Sequence, residues 1–109
     1  MQYEVINVKK QLSAIKDYWQ PEIINRYGFR FRFVKLLNDY GWHTHEYSDK
    51  VLLVIEGEMT VDFADRRQIS LKEQDMVVIP KQTSHRPYSS QGCSVVLIEL
   101  PDTNETENQ

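Results

Sequence analysis

Three histidines are the side chains whose type and spacing favour metal chemistry in this chain. They are the only histidines among the 109 residues, and two of them, His43 and His45, are separated by a single residue. Side chains two positions apart on a β-strand project from the same face of the sheet. The third, His85, follows an apolar stretch that ends at Pro80. We therefore expect the three rings to converge on one metal-sized point inside a small barrel.

The elements that must position these rings are mostly short strands. The helix candidate is 8–19, because Leu12, Ile15 and Trp19 recur at three- to four-residue spacing before Pro21. We expect this apolar stripe to cover an end or a face of the barrel. Further along, alternating apolar residues predict strands at 29–37, 42–45, 51–55, 59–63, 68–71, 76–79 and 93–100. Short strands joined by turns are typical of an antiparallel sandwich or barrel.

Length and composition favour one domain without disulfides. A chain of 109 residues has the size of a typical domain, and a single cysteine, Cys93, leaves no internal disulfide. We expect the barrel domain to span 1–101 and the polar segment 102–109 to be a flexible tail. No apolar run has signal-peptide character or reaches the ~20 residues that cross a bilayer, so we expect a cytoplasmic protein without a membrane partner.

The charge of the chain argues against a nucleic-acid partner. The formal net charge is −3, whereas nucleic-acid-binding domains carry a basic patch or stripe. Arg30 and Arg32 alternate with phenylalanines. We interpret this alternation as the solvent face of a half-buried strand. The sequence therefore predicts no nucleic-acid partner.

Several stretches of the chain resemble a known family of small barrels. The chain resembles a single-domain cupin, of the kind loosely labelled mannose-6-phosphate-isomerase-like, in HTH at 43–45, the following YSD, EGEMTVDF, ISLKEQDMVVIPKQTSHRPY and the final VVLIEL. The resemblance covers nearly the whole chain, including the N-terminal helix. It implies an all-β fold, an antiparallel jelly-roll barrel with one short N-terminal helix.

The two short motifs of that family match this chain unevenly. In the first motif, His-x-His is followed after three or four residues by Glu and six residues later by Gly; His43, His45 and Gly57 match it. His85 matches the histidine of the second motif. The resemblance implies that the three histidines and the motif's Glu hold one divalent metal ion. Counting back from Gly57, however, places Lys50 where that Glu belongs.

Two further departures from the motifs concern turns. Gln74 and Gln82 stand where the second motif has glycines. Tight turns at such positions use the backbone freedom of glycine. We therefore expect these two turns to be built differently in this chain.

Lys50 changes what the metal site can be. The three histidines alone can bind Zn, Fe, Ni or Mn, but converting a lysine into a neutral ligand at pH 7 costs about 4–5 kcal/mol. We expect the Lys50 side chain to swing aside, or the site to hold no metal. Asp49 and Glu46 are candidate substitute ligands, and Lys50 can instead form a surface ion pair with one of them.

Two functions follow from these alternatives. The resemblance implies a metal-centred cupin that binds a small polar ligand, with isomerase- or dioxygenase-type activity among the chemistries of the family; whether this chain is an enzyme stays open. The alternative is a metal-free module in which Lys50 and the histidines accept a small anion or sugar derivative, more strongly below about pH 6.5 as histidines protonate. Tyr88, three residues after His85, is a second candidate pocket residue. The resemblance and the exposed strand edges predict a homodimer.

Overall fold

The described part of the chain, residues 3–39 and 41–100 of the computed structural model, forms one short helix and seven strands. In chain order these are α1 (Val8–Ser13), β1 (Glu22–Arg26), β2 (Phe29–Asp39), β3 (Lys50–Gly57), β4 (Met59–Phe63), β5 (Gln68–Leu71), β6 (Met76–Ile79) and β7 (His85–Glu99). Strands β4, β5 and β6 have the bounds that the alternation predicts. The predicted domain end at residue 101 and the tail 102–109 lie outside the described residues.

The longest strand, β7, connects the other parts of the sheet. Its first residues pair with β4, where His85 lies opposite Phe63, and its last residues pair with β2 on one side and β3 on the other. The order of strands is β1-β2-β7-β3-β6, with β4 bound to β7 and β5 to β4. All pairings between the described strands are antiparallel. The structure confirms the predicted jelly-roll barrel with one short helix.

Strands β2 and β3 are two and three residues longer than predicted, and three other differences are larger. The sequence analysis misses β1, whose five residues EIINR lack a clean apolar alternation. The predicted strand 42–45 is reduced to an isolated bridge between His43 and His85. The final strand begins at His85 instead of residue 93, because 85–88 pair with β4. Strand β1 pairs with the adjacent β2, whereas in the other two cases a pairing partner distant in sequence decides where the strand begins or ends.

Helix α1 is shorter than its apolar period predicts. The Asn7 side chain accepts a hydrogen bond from the amide of Lys10 at 2.8 Å and begins the helix, but the helix ends at Ser13. The prediction of a helix over 8–19 is therefore wrong after Ser13. The reason is tertiary: Trp19 has φ 67° and donates its backbone N–H to the Lys35 carbonyl at 2.8 Å. No helix in the described residues is long and apolar enough to cross a membrane.

Strand β2 is covered on both faces. Val34 belongs to the apolar cluster inside the barrel. Phe33, on the opposite face, packs in a second cluster with Leu12, Ile15 and Val96. The segment that contains α1 thus covers the outer face of the sheet, in agreement with the predicted role of its apolar stripe.

Three turn positions of the two family motifs have a left-handed backbone conformation: Gly57, Gln74 and Gln82. Gly57 has φ +82°, and a Cβ there would lie 2.5 Å from the Gly92 carbonyl oxygen, so only glycine fits. Gln74 and Gln82 have φ 75° and 64°. A non-glycine residue in this conformation costs about 1–2 kcal/mol. The amide of Gln82 donates to the His45 carbonyl at 2.6 Å, which ties this turn to the histidines.

Candidate metal centre

Backbone hydrogen bonds bring the three histidines together. The amide of His43 donates to the His85 carbonyl at 2.9 Å, and the amide of His85 donates to the His43 carbonyl at 3.0 Å. His45 is held by the amide of Gln82. Thr44 is exposed, whereas both neighbouring histidines are partly buried. The predicted alternation of this segment therefore holds, although only a bridge forms there.

The three rings form a compact group, which we call the histidine cluster (His43, His45 and His85). Their ring centroids are 4.5 Å apart for His43 and His85, 5.3 Å for His43 and His45, and 5.6 Å for His45 and His85. One ligand nitrogen from each ring lies within 4.8 Å of the other two. The structure thus brings all three predicted ligands to one point, where they could hold a metal ion.

The hydrogen bonding of the ring nitrogens of His85 and His43 is compatible with metal binding. Nδ1 of His85 lies 2.8 Å from the carbonyl oxygen of Thr83. Because a carbonyl only accepts, Nδ1 carries the proton and Nε2 keeps a lone pair, and metal-binding histidines usually donate their other ring N–H to such an acceptor. Nδ1 of His43 is buried and has no hydrogen-bond partner within the described residues. A buried nitrogen without a partner is costly, and a bound cation is one group that would satisfy it.

Lys50 lies inside the barrel, beside His45. Its side chain is 3% exposed, and its Nζ lies 2.8 Å from Nε2 and 3.1 Å from Nδ1 of His45. An ammonium group only donates, so a lone pair of His45 accepts this contact. The predicted surface ion pair with Glu46 or Asp49 is also wrong, because Lys50 faces the barrel interior as the first residue of β3. Metal binding through His45 requires the ammonium group to leave this position.

A buried carboxylate balances Lys50 from the neighbouring strand. Glu99 of β7 lies opposite Lys50 in the sheet register, with Oε1 3.8 Å from Nζ. Oε1 also accepts from Nε of Arg32 at 2.8 Å, and Oε2 accepts from the Ser48 hydroxyl at 3.2 Å. Burial raises the pKa of the Glu99 carboxyl, but Lys50 and Arg32 outweigh it and leave that pKa below its ordinary value. We call these four residues the charged cluster.

One cavity of about 370 Å³ adjoins both clusters, although Glu99 and Ser48 do not line it. The histidine cluster, Lys50 and Arg32 line it together with Trp19 and two prolines. Its remaining walls are aliphatic: Val34, Leu36, Leu52, Ile79, Val95 and Leu97. A larger groove of about 510 Å³, beside Phe63, contains none of these polar groups. A mostly apolar cavity with few convergent polar side chains is typical of a small-molecule site.

The family follows from comparison with known proteins. The sequence profile of the Cupin_2 family, which is described as a cupin domain, matches residues 37–99, more than half of the chain. The chain belongs to the cupin family.

This cupin is similar to two solved bacterial structures over nearly its whole length. Protein NMB1881 from Neisseria meningitidis is 65% identical, with a TM-score of 0.86, and the match covers 89% of this chain and 99% of that one. A cupin-2 domain containing protein from Shewanella frigidimarina is 32% identical, with a TM-score of 0.82, over 90% of this chain and 95% of that one. The uncharacterized protein YdbB of Bacillus subtilis is 41% identical over 58 residues, which span 53% of this chain and about half, 51%, of that relative.

Burial keeps the imidazoles of this cupin neutral. It lowers the pKa of His45 to about 4, with the ammonium group of Lys50 as the next cause. Burial also lowers the pKa of His43, and the neighbouring His85 and Lys50 add to this effect, although the backbone of Gly41 opposes it. The pKa of His85 falls through burial and Lys50 in spite of the opposing hydrogen bond to Thr83. Neutral imidazole is the form that binds metal ions.

The other candidate residues lie away from the cavity. Tyr88 does not line it, because side chains alternate along β7 and an offset of three from His85 reverses the face; its hydroxyl instead accepts from Gln68 at 3.3 Å. Asp49 accepts from the amide of Lys81 at 2.9 Å. Glu46 is exposed. Among the described residues, the group that could hold a metal contains no carboxylate.

The sequence analysis missed Glu99 and misplaced Arg32. Arg32 lines the cavity and does not belong to a solvent face, because the outer side of β2 is covered by the segment that contains α1. A signal for Glu99 was present: positions 93, 95, 97 and 99 alternate on β7, and Val95 and Leu97 line the cavity. Parity therefore directs Glu99 inward, where a carboxylate needs a cationic partner.

Proposed function

We propose that this cupin binds a divalent metal ion through His43, His45 and His85 and takes a small polar ligand into the adjoining cavity. The observation that carries the proposal is that one nitrogen from each ring lies within 4.8 Å of the other two. The neutral state of the rings and the partnerless Nδ1 of His43 support it. Zn, Fe, Ni and Mn all suit imidazole ligands.

Lys50 has a second position available to it when the metal site is filled. Its Nζ contacts His45 but lies 3.8 Å from Oε1 of Glu99. The lysine stem is long and flexible, so a small movement toward Glu99 frees the His45 lone pair and shortens the ion pair. We propose that Lys50 moves in this direction when the site is loaded.

The chemistry of the proposed site is divided between the metal and the cavity. A bound metal supplies a Lewis acid or an oxygen-activating centre, as isomerase- or dioxygenase-type activity requires. The aliphatic walls can pack against the apolar part of a ligand. The ammonium group of Lys50 can donate a hydrogen bond to a ligand oxygen next to the histidine cluster.

Elemental analysis tests the metal proposal. Untagged protein, purified without chelating resin and then incubated with Zn, Fe, Ni or Mn salts, is compared with His43→Ala, His45→Ala and the control Thr44→Ala, whose exposed side chain lies between the two ligands. We expect near-stoichiometric metal in the wild type and the control, and its loss in both histidine variants. A wild type that stays empty with every salt would overturn the proposal. Loaded protein is then assayed for oxygen consumption and sugar isomerisation.

A metal-free binding module is the second candidate function. The contact between the Lys50 ammonium group and His45 favours it, because a cation already occupies the histidine cluster. With a His45 pKa of about 4, positive charge at neutral pH comes from lysine and arginine instead of the histidines. This candidate predicts that chelator treatment leaves acetate binding unchanged and that Lys50→Met weakens it. Acetate binding that requires added metal would contradict it.

Cytoplasmic location and pairing as a homodimer remain predictions. Exposed apolar side chains on the outer strands support pairing: Ile23 on β1 is 47% exposed, and Met76 and Val78 on β6 are 68% and 59% exposed. An uncovered strand edge with apolar side chains favours association. Light scattering of the purified protein, with Met76→Lys as the variant, distinguishes a dimer from a monomer.

A further inference from the structure

The proposed function leaves the guanidinium group of Arg32 unused. This side chain lines the cavity and is 33% exposed, whereas Lys50 and Glu99 are 3% and 4% exposed. Arg32 donates to Glu99 through Nε. Within residues 3–39 and 41–100, its two terminal nitrogens have no further hydrogen bond or ion pair. The Glu99 carboxylate thus fixes the guanidinium plane while the terminal donors stay available to a ligand.

The charges around the cavity do not cancel. Lys50 and Arg32 bring two cationic groups to the cavity, and one buried carboxylate, Glu99, pairs with both of them, so the side chains leave a positive surplus. The walls on either side are apolar and include the Trp19 ring. A ligand that complements this cavity is an anion with an apolar body.

We propose that Arg32 binds the carboxylate of a small organic acid whose apolar body fills the cavity. The inference rests on the proposed function for the location of the ligand and names its chemical class. A guanidinium group binds a planar carboxylate through two parallel hydrogen bonds. Phosphate has no apolar body to fill the aliphatic part of the cavity, and the aliphatic walls cannot hydrogen-bond its remaining oxygens. Arg32 is therefore assigned as the residue that selects carboxylates.

Calorimetric titration with defined probes tests this assignment. Benzoate and hexanoate are the carboxylate probes, benzamide is the neutral counterpart of benzoate, and inorganic phosphate is the competing anion. Each is titrated into chelator-treated and into zinc-incubated protein. We expect benzoate to bind roughly tenfold or more tightly than benzamide, because benzamide cannot form the charge-assisted pair. Equal affinities for the two, or no binding of either carboxylate to either form of the protein, would overturn the assignment.

Substitutions of Arg32 separate its role from that of its neighbours. Arg32→Gln should lower benzoate affinity roughly tenfold or more and leave benzamide affinity unchanged. Arg32→Lys should fall between, because it keeps a cation beside Glu99 but loses the planar fork. If Arg32→Gln does not fold, the benzoate affinity of Arg32→Lys decides the test. Arg30→Gln is the matched control: Arg30 lies on the same strand and donates to Asn25, and it does not line the cavity.

The metal proposal and this inference can fail separately. Arg32→Gln should retain the metal content of the wild type, because Arg32 is not among the histidine ligands. A wild type that binds benzoate but no metal would overturn the proposed function alone. A wild type that binds metal and keeps its benzoate affinity in Arg32→Gln would overturn this inference alone.

Discussion

The histidine cluster and the charged cluster share one cavity but respond to burial in opposite ways. Burial depresses the pKa values of the imidazoles, which remain neutral, and Nδ1 of His43 has no partner in the described residues. Glu99 is buried as well, yet it stays ionised because Arg32, Ser48 and Lys50 surround it. The histidine cluster thus keeps ring nitrogens that a metal ion could use, whereas the groups of the charged cluster are mostly paired with one another. Lys50 belongs to the charged cluster and also contacts His45, so its substitution should affect the two clusters in different directions.

The largest effect should come from removing the carboxylate of the charged cluster. Glu99→Gln leaves Lys50 and Arg32 without their counter-ion in a buried position, and loss of one partner of such a pair costs about 3–5 kcal/mol. Urea denaturation at pH 7 measures the free energy of unfolding. The control Glu4→Gln removes an exposed ion pair with Arg26 and should change it by less than about 1 kcal/mol. Equal losses in the two variants would contradict an internally paired cluster.

The histidine cluster should make the metal-free protein sensitive to acid. The pKa of His45 is about 4 in the folded protein, below the ordinary value of 6.5. Between these pH values the unfolded chain binds a proton that the folded chain does not, so stability falls as the pH drops through this range. Because the ring is partly exposed, we expect a loss of about 2 kcal/mol. Denaturation at pH 7 and pH 4.5 measures it, and His45→Asn, which cannot titrate, should lose less. Identical losses in the two proteins would contradict the assignment to His45.

Removing the cation that both clusters share should favour metal binding. Lys50→Met eliminates the ammonium group beside His45 while Arg32 continues to neutralise Glu99. Repulsion between unit charges about 4 Å apart amounts to roughly 4 kcal/mol near a protein surface, so we expect zinc affinity to rise at least about tenfold. Competition with a chelating dye measures this affinity. Arg30→Met, a cation outside the cavity, is the control. Weaker zinc binding in Lys50→Met would show that the lysine supports the site.

The parts of the fold and site that local pattern controls could be predicted from the sequence. The spacing of His43 and His45 requires only the alternation of an extended chain, and Gly57 requires only a turn at which a Cβ does not fit. The antiparallel barrel follows from short alternating segments. The face of Tyr88 was equally accessible, since an odd offset from His85 on one strand reverses the side chain.

What could not be predicted depends on partners distant in sequence. The helix candidate ends early because Trp19 hydrogen-bonds to β2, and a hydrophobic period does not report such contacts. The burial of Lys50 depends on Glu99, which lies 49 residues later along the chain but directly opposite in the sheet register. The direction of Arg32 depends on α1 covering the outer face of β2. Sequence patterns indicate which residues share a face, but not which face another element covers.

The smallest effect should come from the two carboxylates nearest the histidines in sequence. Glu46 is exposed, and Asp49 already accepts a hydrogen bond from the Lys81 amide, so neither carboxylate belongs to the group that could hold a metal. We expect Glu46→Gln and Asp49→Asn to keep zinc affinity within about twofold of the wild type, because exposed charges interact weakly through water. The same dye competition measures it, with His85→Ala as the variant that loses binding. If Asp49→Asn lost affinity to the same extent, the loop before β3 would have to rearrange on loading and supply the carboxylate that Lys50 replaces. An unchanged affinity would instead leave a three-histidine site, whose remaining coordination positions are available to water and to a ligand in the cavity.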